Sequence, residues 1–162
     1  MKRQYFQDFM PGNVCFGCGA DNPDGLQIKS YWEGEEAVCV WESQEKYHGW
    51  PKILNGGILA TLIDCHCMGT AMAAACKLEN RELGSFPYYR YATGTINVRY
   101  LKPTSNVEAI ELRTIVKEIK GRKVVMQCDT FSAGVKTATS EVIAIRVADE
   151  SETYAHNPFL QS

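Results

Sequence analysis

The sequence carries no large excess of either charge: 17 lysines and arginines stand against 19 aspartates and glutamates, giving a formal net charge of −2. A chain without a basic surplus is not expected to bind nucleic acid. Its start also lacks a basic segment followed by an apolar run, so we do not expect a secretory signal. Neither an internal repeat nor a low-complexity segment is present, and 162 residues are typical of one domain.

The sequence has no cysteine pattern that indicates a disulfide framework. It contains seven cysteines, an odd number, and several stand in strongly apolar surroundings. Small disulfide-stabilised secreted domains usually carry an even, regularly spaced set. We therefore expect reduced thiols and a cytoplasmic location.

Charge is almost absent from residues 54–76, where Asp64 is the one formally charged side chain. The 21 residues of the segment 56–76 would be long enough to span a membrane. However, the segment also holds His66, three glycines and two threonines, and it is rich in alanine rather than leucine. We therefore predict a helix from Gly56 to Lys77 that is apolar all round because protein surrounds it, and no membrane span.

The remaining elements are predicted to be strands of an antiparallel sheet. Two strands form a hairpin with a turn at Glu33-Gly34-Glu35, and four more follow the helix as a meander with turns at Lys120-Gly121 and Ala133-Gly134. These strands are predicted at 26–32, 37–41, 94–101, 107–119, 123–131 and 137–147. The fold class is therefore α+β, with an irregular N-terminal arm (1–25), one domain (26–147) and a polar C-terminal tail (148–162).

Three stretches carry a resemblance to a known family. They are CFGCGADNPDGLQIK (15–29), GWPKILNGGILATLID (49–64), and TGTINVRYLKPT (93–104) leading into EIKGRKV (118–124). With this order of elements, the chain resembles the hotdog-fold acyl-CoA thioesterases of the phenylacetic-acid-pathway type. The resemblance implies a long central helix wrapped by a curved antiparallel sheet of about six strands, an acyl-CoA substrate and no cofactor. The family usually has His-Gly-Gly before the helix, whereas this chain has Asn55-Gly56-Gly57, and asparagine cannot titrate near neutral pH.

Thioester hydrolysis needs a group that holds negative charge on the carbonyl oxygen and a group that activates water or attacks. Free N–H groups at a helix start supply the first, and a glycine there lets substrate approach the backbone. Asp64 supplies the second, as general base or nucleophile, with a pKa raised by burial. The resemblance implies that Gly56 polarises the carbonyl, that Gly57 assists the turn, and that Asn55 and Thr93 position the reacting groups. Alternatively, the glycines form an ordinary turn, Asp64 is a structural group, and Thr93 merely begins a strand.

The spacing along the helix favours an active site that two subunits share. Gly56 and Asp64 are eight residues apart, or about 12 Å along a helix that rises about 1.5 Å per residue. One helix therefore cannot easily bring both residues to one carbonyl carbon, whereas two antiparallel helices about a two-fold axis can. We expect a homodimer at minimum, with a homotetramer as an alternative.

Several further side chains are candidates for the binding site. Cationic groups that could meet coenzyme A phosphates are Arg122, Lys123, Lys102 and Arg99, although charges near turns are often simply solvated. His48 either extends its side chain into the site or is an ordinary loop residue. The segment 77–92, with three tyrosines, is predicted as an insert that lines the acyl pocket or lies on the surface.

A metal site is not predicted. Cys15 and Cys18 could form half of a zinc site, but the sequence offers only Cys65 and Cys67 as a second pair. On a helix these two side chains point in nearly opposite directions and cannot bind one ion together. We therefore interpret the cysteines of the arm as packing near the substrate entrance.

Two alternative functions remain open. The chain could be a non-catalytic acyl-CoA-binding or regulatory hotdog protein, an interpretation that Asn55 in the usual histidine position favours. It could also be a 3-hydroxyacyl dehydratase, although that reaction would normally require a titratable histidine.

Overall fold

A computed structural model describes residues 2–150 of the chain, with side-chain environments described as far as residue 147. One long helix packs against one six-stranded antiparallel sheet, and two short 3-10 helices lie at Phe6–Phe9 and Glu45–Tyr47. The larger elements are β1 (Ser30–Glu33), β2 (Glu36–Trp41), α1 (Gly56–Leu78), β3 (Tyr88–Tyr100), β4 (Ile110–Lys120), β5 (Lys123–Ser132) and β6 (Val135–Glu150).

The order of strands in the sheet is β1-β2-β4-β5-β6-β3. The strands β4, β5 and β6 form the predicted meander, but the prediction that β3 is its first member is wrong. β3 pairs along its length with β6 and lies at the edge of the sheet. The physical reason is the connection after β3: nine residues without a strand separate β3 from β4, so no tight turn holds these two strands together.

The core lies between α1 and the inner face of the sheet. On β5, alternate side chains are buried, including Val124, Met126 and Cys128, as expected of a strand with one face toward the core. α1 is apolar all round, and 72% of its most apolar 18-residue window is buried inside the protein. By length and composition this helix could cross a membrane, but here it is the core helix, because sheet and N-terminal arm cover most of it.

The N-terminal arm is part of the folded unit rather than an external extension. Phe6 is fully buried and packs with Met72 and Cys76 of α1. Beside it, the buried Gln7 bonds to Ser30 through both its amide oxygen and its amide nitrogen, at 2.7 and 3.0 Å. The Ser30 hydroxyl also lies 2.8 Å from Nδ1 of the buried His66. The arm is therefore fixed to α1 and β1 by both apolar contacts and a buried polar network.

The insert predicted at 77–92 is shorter than expected, because Tyr88 to Ala92 already belong to β3. The loop before the strand is organised by Arg81, whose guanidinium contacts Glu79 at 2.6 Å and Ser85 at 3.1 Å. At the other end of the chain, β6 continues to Glu150. The rest of the predicted polar tail, residues 151–162, lies outside the described residues.

Candidate active site

The start of α1 leaves one backbone N–H group open to a ligand. Asn55 is the N-cap, and its side-chain oxygen accepts hydrogen bonds from the N–H groups of Gly57 at 2.8 Å and Ile58 at 3.1 Å. The Leu59 N–H group donates to the Asn55 carbonyl oxygen at 3.1 Å. Of the first four helical N–H groups, that of Gly56 has no acceptor within residues 2–150. An oxyanion at this helix end would therefore meet the Gly56 amide, since the other three already have acceptors.

Tyr100, a residue that the sequence analysis did not select, fixes this end of the helix to the sheet. Its hydroxyl donates to the Gly56 carbonyl oxygen at 2.7 Å. A Cβ atom placed on Gly56 would lie 3.7 Å from the tyrosine ring, so the ring lies against the glycine in ordinary contact. Because successive residues of a strand alternate between its faces, Tyr100 shares a face with Ile96 and Val98, and this pattern is the signal that could have found it.

Asp64 lies two turns further along α1 and is half-buried. The Thr93 hydroxyl donates to its Oδ1 atom at 2.5 Å. Burial raises the pKa of Asp64 above its ordinary value of 3.8, the hydrogen bond from Thr93 opposes this shift, and negative charge at Cys15 adds to it. The carboxyl group therefore holds a proton more strongly than an exposed aspartate, as suits a general base.

A bulge in β3 allows both of these contacts to come from one strand. Thr93 and Tyr100 are seven residues apart, an odd spacing that would place them on opposite faces of a regular strand. However, Gly94 is an extra residue between Thr93, which pairs with Ala144, and Thr95, which pairs with Ile143. The bulge restores the alternation, so both side chains contact α1.

The candidate cations divide among three places. Lys123 on β5 pairs with Ile145 on β6, and Ile145 pairs with Ala92 on β3. Arg122 and Lys123 therefore lie at the end of the sheet that carries Thr93. Lys102 follows Tyr100 and lies at the opposite end, nearer Gly56.

Arg99 lies on the outer face of the sheet, where it lines a polar groove of about 380 Å³ with Lys117 and Gln127. Alternate residues of a strand face opposite sides, so Arg99 faces away from Asp64 within this chain, and its contact with coenzyme A phosphates stays a prediction. His48 is exposed, and its backbone pairs with Leu54 in the loop that precedes Asn55.

The structure brings together three thiols that the sequence analysis kept apart. The Sγ atoms of Cys15, Cys18 and Cys65 all lie within 4.8 Å of one another. Hydrogen bonds from the thiols of Cys18 and Cys65 lower the pKa of Cys15 to about 2. The contact between Cys15 and Cys18 also raises the pKa of Cys18 to about 11. Cys67, on the other side of α1, lies 3.7 Å from the hydroxyl of Thr114, so the predicted divergence of Cys65 and Cys67 is confirmed.

The candidate site is open on the side of β3. Asn55, Gly56, Gly57 and Thr93 are all exposed, and none of them lines the polar groove at Arg99. Beside them, Ile96 and Tyr100 on the inner face of β3 are 36% and 53% exposed.

Comparison with known proteins identifies the fold. A thioesterase superfamily protein from Shewanella loihica PV-4 is 32% identical, with a TM-score of 0.62 over 75% of this chain and 91% of that one. The PaaI protein from the phenylacetic acid degradation operon of E. coli is 12% identical, with a TM-score of 0.62 over 77% of this chain and 83% of that one. One helix against six antiparallel strands, shared with these structures, is the predicted hotdog fold.

The curated relatives are longer proteins. The bovine (Bos taurus) acyl-coenzyme A thioesterase THEM4 is 23% identical over 139 residues, which are 85% of this chain and 52% of that protein. The chain thus spans about half the length of the curated relatives that it matches. It matches no protein-family model. With 32% identity to a structure of which it covers 91%, the chain belongs to the thioesterase superfamily.

Proposed function

We propose that the protein is an acyl-CoA thioesterase that hydrolyses an acyl-CoA thioester to the free acid and coenzyme A. The observation that carries this proposal is the open Gly56 N–H group at the start of a helix that also holds the half-buried carboxylate of Asp64. The amide would hydrogen-bond the thioester oxygen as negative charge develops there. Asp64 would take a proton from water or attack the carbonyl carbon. The name of the bovine relative, an acyl-coenzyme A thioesterase, supports the same substrate class.

We further propose that two subunits complete each site. In α1, eight residues separate the Gly56 amide from Asp64, or about 12 Å along the helix axis. β3 is a thirteen-residue edge strand, and one long edge of its backbone hydrogen-bonding groups has no neighbouring strand within the described chain. A second copy paired antiparallel with this edge would cover the exposed Ile96 and Tyr100. It would also place the Gly56 of one protomer near the Asp64 of its partner.

The cations suggest how coenzyme A would be held. Arg122 and Lys123 lie at the Asp64 end of the sheet, while Lys102 lies near Gly56. In a two-fold dimer, those two ends come from different subunits and meet at one site. The phosphates would then contact Lys102 together with the partner's pair of cations.

Substitution of Asp64 by asparagine tests the chemistry. Thr93 can still donate to the amide oxygen of Asp64→Asn, so the local structure is retained while proton transfer or attack is lost. We expect kcat/KM to fall by about 100-fold to 10,000-fold. The measurement is release of coenzyme A from a panel of acyl-CoAs, followed with a thiol-trapping dye. The matched control is Glu141→Gln, which removes a carboxylate from the outer face of the sheet, and we expect it to retain activity.

The unfolding temperature of the variant distinguishes loss of catalysis from loss of the folded structure in this experiment. Because burial disfavours the ionised Asp64 carboxylate, the neutral Asp64→Asn variant should unfold at the same temperature as the wild type or higher. Wild-type turnover that survives in a well-folded Asp64→Asn variant would refute the proposed role of Asp64.

Non-catalytic binding of acyl-CoA is the second candidate, and one observation favours it. The side-chain oxygen of Asn55 is already occupied as a helix cap, so this residue supplies no acid or base. Acyl-CoA that binds to the wild-type protein without release of thiol would support this function instead.

A further inference from the structure

Three cysteines from distant parts of the chain converge beside the candidate active site. Cys15 and Cys18 belong to a tight loop of the N-terminal arm, and Cys65 follows Asp64 on α1. All three Sγ atoms lie within 4.8 Å of one another, and those of Cys15 and Cys65 are 3.7 Å apart. No disulfide links them.

These distances are close to those between the ligands of a tetrahedral zinc site. Zinc binds thiolates at about 2.3 Å, so two sulfur ligands of one tetrahedral ion stand about 3.8 Å apart. The separation of the Cys15 and Cys65 sulfurs agrees with that value. Cys18 and Cys65 are buried, at 7% and 6% exposure, whereas Cys15 is exposed and leaves a path by which an ion can enter.

The loop that carries Cys15 and Cys18 lies directly against Cys65 at Gly17. A Cβ atom on Gly17 would lie 2.3 Å from the Cys65 sulfur, so only glycine lets the loop lie directly on that thiol. The Gly17 N–H group points at the Cys15 sulfur at 3.4 Å, and the Asn13 side-chain amide lies 3.5 Å from the Cys18 sulfur. Such N–H donors favour thiolates over thiols and orient metal ligands.

We propose that Cys15, Cys18 and Cys65 bind one Zn²⁺ ion as three thiolates, with the fourth coordination position facing solvent on the Cys15 side. Binding releases the thiol protons that remain, and water or an external ligand occupies the fourth position. The ion joins the arm to α1 one residue from Asp64. This proposal goes beyond the proposed hydrolysis and does not depend on it.

Metal binding by the reduced, full-length protein tests the proposal. Zinc added after treatment with a chelator should bind as one ion per chain, measured by elemental analysis after gel filtration. Co²⁺ in its place should give the intense visible bands of a tetrahedral ion and a sulfur-to-metal charge-transfer band. Both signals should be lost in Cys15→Ser and in Cys18→Ser.

Cys76→Ser is the matched control, because Cys76 is a buried cysteine of the same helix outside the cluster. We expect it to bind zinc as the wild type does. Zinc should also raise the unfolding temperature of the wild type and of Cys76→Ser but not that of Cys15→Ser, since a ligand stabilises the state that binds it.

Two results would overturn the proposal. One is a fully reduced wild-type protein that retains no more zinc than Cys15→Ser. The other is a disulfide between Cys15 and Cys65 in the isolated protein that, once reduced, leaves thiols without affinity for zinc. Neither result would bear on thioester hydrolysis, which is measured separately.

Discussion

Asn55 allows the role of the Gly56 amide to be tested by one added charge. In Asn55→Asp, the carboxylate can still accept from the N–H groups of Gly57 and Ile58, so the helix cap is retained. A negative charge at a helix N-terminus also interacts favourably with the helix dipole, by about 0.3 to 1 kcal/mol. We therefore expect Asn55→Asp to be as stable as the wild type or more so.

Activity should move in the opposite direction. A second negative charge about 4 Å from the new carboxylate costs about 1 kcal/mol in water and about 4 kcal/mol at an effective dielectric constant of about 20. If the thioester oxygen becomes negative at the Gly56 amide, this repulsion should lower kcat/KM. A cost of about 1 kcal/mol corresponds to a fall of about fivefold and a cost of about 4 kcal/mol to a fall of several-hundredfold, because about 1.4 kcal/mol corresponds to a factor of ten.

Two further variants complete the comparison. Asn55→Ala removes the cap without adding charge and should cost about 1 kcal/mol of unfolding free energy, or about 2 to 4 °C in Tm, while turnover largely survives. Asn80→Asp adds the same charge just beyond the other end of α1 and should leave kcat/KM unchanged. The assays are thermal unfolding and release of coenzyme A. An Asn55→Asp variant with wild-type kcat/KM would refute the reasoning, because negative charge would then not develop at Gly56.

Three other predictions follow from the polar contacts. Thr93→Val removes the hydrogen bond that lowers the pKa of Asp64, so the acidic limb of the pH–rate profile should move to higher pH; a limb that does not move would exclude Asp64 as the titrating group. Ser30→Ala removes the buried hydroxyl that the Gln7 amide nitrogen and the His66 ring share, while Gln7 keeps its bond from the backbone N–H, and it should cost about 1 to 3 kcal/mol of unfolding free energy in denaturant titration. Burial lowers the pKa of His66 to about 4 from 6.5, so the unfolded chain binds a proton in this interval that the folded chain excludes. Stability should therefore fall as pH drops from about 6.5 to about 4, and this slope should be shallower in His66→Gln.

The sequence predicts α1 to within one residue, because Asn55 caps an uninterrupted apolar run. β3 is predicted to begin six residues too late and to end one residue too late. Tyr88 to Thr93 show no clear alternation and are strand only through pairing with β6. That pairing joins residues 51 to 62 positions apart, and local patterns do not report such contacts.

In the candidate site, too, features within one element could be predicted and contacts between distant segments could not. Gly56 and Asp64 could be selected because their spacing lies within one helix. The contact of Tyr100 with Gly56 and the thiol cluster could not be predicted, because each joins residues 44 to 50 positions apart, such as Cys15 with Cys65. The bulge at Gly94 was also missed, although it decides that Thr93 contacts Asp64 at all.

The buried start of the chain has a consequence for any shortened form of the protein. A version trimmed to the 26–147 segment would lose Phe6, whose removal from a core typically costs about 3 to 5 kcal/mol. It would also lack Gln7, the hydrogen-bond partner of Ser30, and would expose the side of α1 around Met72 to water. The segment that carries most of the family likeness is therefore smaller than the unit that folds.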